Sequence, residues 1–389
     1  MKKSFLILLV FAVAIGCSSS SETKDEDTDN VDSSAVATEK EAPKEGLDRI
    51  NLPAGFKIEV FAEVENARSL ALSPSGVVYV GNRAENKVYA LKDEDGDGKA
   101  EKKYVLADSL NSPNGVAFKD GDLYIAEISR ILKLSDIETQ LENPPAYEVI
   151  NDNYPTEGHH GWKYIAFGPD GKLYVPVGAP CNICESEDEI FATITRMNPD
   201  GTGREIVAKG IRNTVGFDWK PDTKELWFTD NGRDMMGDNF PPGELNRITE
   251  KGQHFGYPYC HGGEIADPEF GGKFPCSDFV PPVWKFEAHT ANLGFTFYTG
   301  DMFPEEYKGD IIVAQHGSWN RSKKIGYRLM HVSIEGNRAT EAKVFADGWL
   351  NDKTQSNWGR PVDVIQLKDG SILVSDDFGN NVYRIYYEG

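Results

Sequence analysis

Apolar and polar residues alternate in short runs along most of this chain, and the runs come in pairs. SLALSPSGVVYVGN starts at Ser69, NGVAFKDGDLYIAE at Asn114 and KYIAFGPDGKLYVPVG at Lys163. TVGFDWKPDTKELWFTDN starts at Thr214, LGFTFYTGDMFPEEYKGDIIVAQH at Leu293 and PVDVIQLKDGSILVSDD at Pro361. Each phrase reads as a strand, a tight turn built on Gly, Asp or Pro, and a second strand rich in Leu, Val, Ile and Tyr. Most are followed by a third such run, as in NKVYALKD and NNVYRIYYEG. A four-stranded unit recurring every roughly 40 to 50 residues is the mark of a propeller blade. No such sheet covers both of its faces alone, so the units must stack around a channel. Six phrases therefore predict an all-β, six-bladed β-propeller. An ordinary β-sandwich is the alternative, but it would not reuse one hairpin with one turn chemistry.

The first residues break the pattern. Lys2 and Lys3 precede an apolar run from Phe5 to Ile15, which ends in AIGC at Cys17. A basic start and a short apolar run are a secretory signal, too short to span a bilayer. Small residues directly before a cysteine resemble a bacterial lipobox, which implies cleavage before Cys17 and a lipid on it. Residues 18–46 hold many carboxylates and almost no apolar side chains, so they cannot bury a core and are expected to be a disordered tether. The organisation read from sequence is thus a lipoprotein signal over 1–17, an acidic tether over 18–46 and a propeller over 47–389. The expected location is exported and lipid-anchored to a bacterial membrane, on its periplasmic or cell-surface side. A formal net charge of -21 argues against nucleic acid and against any membrane contact except through the anchor.

Without Cys17, four cysteines remain. Cys181 and Cys184 form CNIC, and Cys260 and Cys276 bracket a second segment. Local pairing, Cys181 with Cys184 and Cys260 with Cys276, is the simplest expectation for an exported chain. A zinc half-site or a redox dithiol at CNIC is the alternative. No CxxC is followed by His, so no c-type haem is attached to the chain. Asp93, Asp95 and Asp97, with glycines at 96 and 98, resemble a Ca²⁺ loop. Tyr104 stands where an EF-hand needs Glu, so the loop is either another kind of Ca²⁺ site or a plain acidic turn.

Candidate chemistry gathers at equivalent ends of the phrases. GHHGW precedes the third, GIRN the fourth and WGRP the sixth; TDNGRD follows the fourth and QHGSWNR the fifth. Such positions can converge on one mouth of the channel. Residues 232–290 and 316–360 are read as two long inter-blade loops, and long loops in a compact domain are usually functional. Together these segments offer histidines, guanidinium forks, amides and flat aromatics, the set that a planar, multiply anionic ligand needs.

The phrases GHHGWKYIAFGPDGKLYVPVG with CNIC, GIRNTVGFDW, TDNGRDMMGDNFPPGELNRI, HGSWNRS and WGRPVDV resemble the bacterial sorbosone-dehydrogenase-type proteins. These are relatives of the soluble PQQ-dependent glucose and aldose dehydrogenases and of the fungal PQQ-dependent pyranose dehydrogenases. The resemblance runs from about Leu47 to Gly389. It implies a propeller with pyrroloquinoline quinone over the channel mouth beside a Ca²⁺ ion, oxidising a sugar or aldose-type substrate by hydride transfer. The electrons would go to an external acceptor, a cytochrome or a quinone.

By position, the resemblance makes His160 the catalytic base. Arg212 and Asn213 fall on the quinone, with Arg212 also stabilising developing charge. Backbone carbonyls of Gly232 and Arg233 fall on Ca²⁺, and Arg360 on the cofactor carboxylates. A second carboxylate-binding arginine falls on Val362, so that contact is missing or supplied elsewhere. The Asp that supports the catalytic His in glucose enzymes falls near Ala179, inside the CNIC loop. In the HGSWNRS loop, His316 and Arg321 are candidate polar contacts and Trp319 a candidate stacking residue. His159 is expected to face away from His160, as neighbours on an extended chain do. A Ca²⁺-dependent lactonase-type hydrolase and a non-catalytic, ligand-binding propeller lipoprotein are the competing readings.

Overall fold

The computed structural model describes residues 46–389; the expected signal, Cys17 and all of the tether but Gly46 lie outside them. Six four-stranded antiparallel sheets follow one another in chain order. The innermost strands of blades 1 to 6 are Ala67–Leu72, Gly115–Lys119, Ala166–Phe167, Phe217–Trp219, Asn292–Phe297 and Pro361–Gln366. Each opens one of the six sequence phrases. The predicted six-bladed propeller is the observed fold.

The paired apolar runs find their explanation in the spaces between blades. Six separate buried clusters occupy the six blade-to-blade interfaces. In blade 5, Ile311 and Val313 pack toward blade 4 while Ile312 and Ala314 pack toward blade 6. In blade 1, Tyr79 faces blade 2, and Val78 and Val80 face blade 6. A strand covered on both faces reads as a continuous apolar run, which is why VVYV and IIVA contain no polar residue.

The last blade takes its outer strand from the other end of the chain. Phe56–Glu63 pairs antiparallel with Asn381–Tyr387, from Phe56 opposite Tyr387 to Glu63 opposite Asn381. Phe56 anchors this closure. Its ring meets Phe303, Phe345, Tyr387 and Tyr307 edge-on, at centroid distances of 4.7, 5.1, 5.0 and 5.4 Å. Edge-to-face pairs of this kind add to the area they bury.

The two long segments differ from expectation. Residues 232–290 contain the third and fourth strands of blade 4, Gly243–Ile248 and Trp284–Phe286, and the small hairpin Cys260–His261 with Ile265–Ala266. Residues 316–360 contain Arg328–Glu335 and Arg338–Ala346, the outer half of blade 5. An outermost strand has one solvated side. RATEAKVFA accordingly carries exposed polar residues over most of its length, which hides the strand signal.

Near the axis, Val215, Leu293 and Val362 pack together with Trp162. This apolar plug lies across the starts of the inner strands of blades 3 to 6. The inner strands come so close that a Cβ on Gly216 would run into the Leu293 carbonyl.

Phe56→Ala should destabilise the propeller by about 3–5 kcal/mol, the usual cost of emptying a buried Phe site. Denaturant unfolding of the isolated domain measures it. A loss under about 1 kcal/mol, the level of ordinary surface substitutions, would show that the closing strand is not held by this ring.

Candidate functional site

A cavity of about 820 Å³, its open mouth included, sits over the apolar plug, with Val215, Leu293 and Trp162 in its lining. Its walls are the beginnings of inner strands and the ends of the strands that follow them. Three arginines line it, Arg68, Arg83 and Arg212, with three histidines, His160, His289 and His316; Asp234 is the one lining carboxylate. The blade repeat thus brings His160, Arg212, Asn213, Gly232, His316 and Trp319 of the sequence-predicted set to one mouth.

His160 is held in an uncommon way. Its backbone is left-handed, φ 51°, which costs a non-glycine residue some energy and persists where the surroundings impose it. Gly178 makes room for it, since a Cβ there would lie 2.5 Å from the His160 Cβ. His160 Nδ1 lies 2.9 Å from the Ala179 carbonyl. A carbonyl only accepts, so Nδ1 carries the proton and Nε2 is left as a base. Burial, with help from the Arg212 charge and from His159, pushes the imidazole pKa down to about 3. The position expected to hold an Asp is therefore served by a main-chain oxygen.

The expected opposition of His159 and His160 does not hold. The two form a turn rather than an extended segment, and their ring centroids are 4.1 Å apart. His160 is buried and lines the cavity, whereas His159 is exposed and does not.

The buried Asp230 carboxylate shapes the Arg212-Asn213 corner, accepting both backbone N–H groups at 2.9 and 2.7 Å. The Arg212 guanidinium donates to Asn182, Asn231 and Asp234. The Asn213 carboxamide reaches the cavity and has no partner among the described residues. On the opposite wall, Arg68 is 1% exposed and pairs with Asp377 at 2.7 Å. His316 Nε2–H donates to the other oxygen of Asp377 at 2.8 Å. Burial alone would raise the Asp377 pKa, but His316 and Arg68 hold it far below the usual carboxylate range. Burial keeps His316 neutral, with its pKa pushed down to about 4 against the pull of Asp377. Arg83 lies over the Trp162 ring at 4.4 Å and has no carboxylate partner among the described residues.

Other expected contacts lie elsewhere. Arg360 does not line the cavity; it donates to the carbonyls of His316 and Gly317 at 3.0 and 2.9 Å and so fixes the segment that carries His316. Arg321 also points away, donating to the carbonyls of Asp238 and Ala288. The Arg233 side chain turns outward to Asp267 and Glu269, although Gly232 beside it lines the cavity. Trp319 is 67% exposed and stands at the rim. Val362, expected to mark a lost arginine, belongs to the apolar plug. Asp93, Asp95 and Asp97 lie together with Glu101, their ligand oxygens within 4.8 Å, but line no part of this cavity; Glu101 was not foreseen. The two expected disulfides, Cys181–Cys184 and Cys260–Cys276, are both formed.

Arg68 and Arg83 escaped the sequence reading. The first blade phrase was read from Ser69, one residue after Arg68. Arg83 follows the second strand of blade 1 just as Gly232 and His316 follow theirs. Comparing equivalent positions across all six blades would have found both.

The family model of a domain of unknown function (DUF7133) matches residues 42–382. An uncharacterized protein of Borreliella burgdorferi is 35% identical over 372 residues, covering 89% of this chain and 93% of that protein. Among solved structures, the calcium structure of a Trichoderma reesei Carbohydrate-Active Enzymes Family AA12 protein superposes with a TM-score of 0.78 at 17% identity, covering 87% of this chain and 97% of that one. The holo form of the pyranose dehydrogenase PQQ domain from Coprinopsis cinerea gives 0.74 at 18% identity, with 87% and 97% covered. At these identities the likeness shows a shared fold.

His160 should stay neutral throughout pH 5–8, because its folded pKa lies near 3 while an unfolded imidazole titrates near 6.5, as is typical. The unfolded chain then binds the extra proton first. The stability His160 contributes is present above the unfolded pKa and is lost as pH falls toward the folded one. Imidazole NMR of the folded domain measures this; a His160 midpoint between pH 6 and 7 would contradict the burial argument.

Proposed function

The chain belongs to the DUF7133 family of domains of unknown function, and we propose that it is a PQQ-dependent oxidoreductase acting on a sugar or aldose-type substrate, of the sorbosone-dehydrogenase type. The observation that carries this is the charge of the cavity. In a chain of net charge -21, three arginines face one carboxylate across a single mouth. Low-dielectric walls of one sign focus the field and concentrate an anion. A flat tricarboxylate matches the donor set: the Arg83 fork without a carboxylate partner, Arg68 behind it, the Asn213 amide, and the exposed indole of Trp319. Arg83 and Arg68 supply the cationic contact that Val362 does not. The Coprinopsis relative in fold is described as a holo PQQ domain, which agrees with this reading.

PQQ, when bound, supplies the acceptor for a hydride leaving a carbinol carbon. The chain's residues do the rest. His160 takes the hydroxyl proton at Nε2, the one ring nitrogen with a free lone pair. Its low basicity keeps that lone pair available at every ordinary pH. Arg212 holds a fixed positive charge at the wall, where charge develops in the transition state. Gly232 and Arg233 would offer carbonyl oxygens to Ca²⁺, a hard cation that takes such ligands; the Trichoderma relative is described as a calcium structure. His316, oriented by Asp377, Arg68 and Arg360, presents Nδ1 as a second neutral acceptor. The lactonase-type alternative needs several carboxylates around a metal, and the one carboxylate here is committed to Arg212 and Asn320.

The setting is proposed as well. The chain is exported, anchored through a lipid on Cys17 and held off a bacterial membrane by the acidic tether. Its electrons pass to an external cytochrome or quinone.

Calorimetric titration of the apo domain should show PQQ binding at micromolar levels only with Ca²⁺ present. Arg212→Ala and Arg83→Ala should each weaken it by about tenfold or more, the worth of a charge-assisted hydrogen bond. His160→Ala should leave binding intact and slow single-turnover reduction of bound PQQ by about 10²–10⁴-fold. Absence of PQQ binding would remove this function, and an unchanged reduction rate would remove His160 from it.

Mass spectrometry of the native protein should find a diacylated or triacylated Cys17 at its N-terminus. A signal cut at another site, with a protein free in solution, would rule the anchor out.

A further inference from the structure

We propose that Asn182 is a positioning residue for Arg212, and that the Cys181–Cys184 bridge keeps it in place. Asn182 lies inside CNIC, in an irregular segment between the strands Leu173–Val177 and Thr193–Met197. Its carbonyl oxygen accepts Arg212 Nε–H at 2.8 Å, and its Oδ1 accepts Arg212 Nη2–H at 2.8 Å. One residue thus grips a whole edge of the guanidinium with two parallel bonds. Asp234 Oδ2 takes the second Nη2–H at 3.0 Å and the Asn231 carbonyl takes one Nη1–H at 3.1 Å. A guanidinium has five N–H donors. Four are held by these bonds, which leaves a single Nη1–H, of fixed direction, for anything in the cavity.

The chemistry of the clamp matters as much as its geometry. A carboxylate at position 182 would make the same two bonds but cancel the charge. An amide orients the guanidinium and stays neutral, so it adds no negative charge beside Arg212. Asp234 is the one charged acceptor on the guanidinium and offsets part of its field, while its other oxygen accepts from Asn320 at 3.0 Å. Asn182 also fixes Asp234 itself, accepting its N–H at 2.8 Å and donating to its carbonyl at 3.2 Å. Asn182 and Asp234 together therefore join three segments, CNIC, TDNGRD and HGSWNRS, around one cation.

Something must hold Asn182 in turn. The bridge closes a small ring around it. Cys184 N–H donates to the Tyr257 hydroxyl at 3.1 Å, and the Tyr259 hydroxyl donates to Glu185 at 2.8 Å. Both tyrosines lie just ahead of Cys260, whose own bridge to Cys276 ties down that neighbouring segment. The two disulfides thus lie behind the wall that carries Arg212.

The positioning claim stands on geometry alone; its consequence for cofactor binding rests on the function proposed above, and two separate readouts keep them apart. The first needs no ligand. In the oxidised domain labelled with ¹⁵N-arginine, the Arg212 Nε–H and Nη2–H signals are identified by their loss in Arg212→Lys, and the exchange of each with water is measured. Asn182→Ala, which removes the Oδ1 acceptor but keeps the main-chain carbonyl, should speed exchange at Nη2–H by about tenfold or more, and Cys181→Ser/Cys184→Ser should speed it at both Nη2–H and Nε–H, as expected for a lost charged hydrogen bond. If the serine pair does not fold, reduction of the folded wild type by a phosphine makes the same comparison. Unchanged Nη2–H exchange in Asn182→Ala overturns the proposal, and unchanged exchange at both positions without the bridge overturns the part given to the disulfide.

The second readout is PQQ affinity with Ca²⁺. Asn182→Ala should weaken it about tenfold but add almost nothing on an Arg212→Ala background, because the two act as one unit. Asn182→Asp should keep the exchange slow yet weaken PQQ, since it preserves both acceptors on Arg212 and sets a negative charge beside it. Additive losses, or wild-type affinity in Asn182→Asp, would overturn the neutral-clamp argument. A wild type that binds no PQQ would remove the proposed function and leave the exchange comparison to decide the clamp.

Discussion

Everything at the cavity depends on the ring of blades being closed and kept closed. Each blade buries both faces against its neighbours, so an open ring would expose two apolar faces at once. Closure is made by pairing Phe56–Glu63 with Asn381–Tyr387, which joins the two ends of the propeller. Polar bonds at the inner edge repeat the tie from blade to blade. Arg68 reaches Asn114 and Asn114 reaches the Lys163 carbonyl, at 2.8 Å each. Thr229 reaches the Leu293 carbonyl at 2.8 Å and Ser375 the Arg68 carbonyl at 2.6 Å. A ring held in this way gives its mouth the rigidity that preorganised catalysis and binding require.

That rigidity makes the concentration of cations tolerable. Like charges gathered in a partly buried mouth repel one another, and the Arg83 pKa is lowered by burial and by Arg68. The structure meets the cost unevenly. Arg68 is neutralised by Asp377, Arg212 is steadied chiefly by neutral oxygens and only partly by Asp234, and Arg83 is spread over an indole face. The most exposed of the three, Arg83, is the one with no carboxylate partner among the described residues, as the anion site proposed above requires.

The architecture was legible in sequence because its cause is local. A hairpin with one turn chemistry, repeated six times, predicts blades whatever the rest of the chain does. What escaped detection has non-local causes. The outer strands of blades 4 and 5 read as loops in the sequence, because RATEAKVFA meets solvent on one side and GELNRI carries polar residues, Glu244 and Asn246, that the fold buries. The closing strand carries no mark that assigns it to the last blade rather than the first. The site was legible where a motif joined several chemical groups, as in GHHGW, GIRN and HGSWNRS. It was not legible for Arg68 and Arg83, lone cations whose place follows only from the symmetry of the ring. Arg321 and Arg360 show the converse. Their residue type suggested ligand contact, yet each spends its donors on main-chain carbonyls, and no sequence pattern separates a guanidinium that binds a ligand from one that binds a loop.

The histidines show how far geometry alters a role inferred from position. An Asp behind an imidazole raises its basicity and stabilises its protonated form; a main-chain carbonyl fixes the tautomer and does much less to stabilise the cation. His160 has the carbonyl and His316 has the carboxylate, though Arg68 already claims the Asp377 charge. Burial holds both rings neutral against these partners, each with one nitrogen bound and the other free. A weak, neutral, strictly oriented base suits the proposed reaction, in which the proton leaves in step with a hydride, because it need not hold the proton strongly afterwards. It also fits the surrounding arginines, which would oppose a lasting imidazolium. The departure at Ala179 and the cluster of cations are therefore two sides of one arrangement, in which positive charge is kept for the ligand rather than spent on the base.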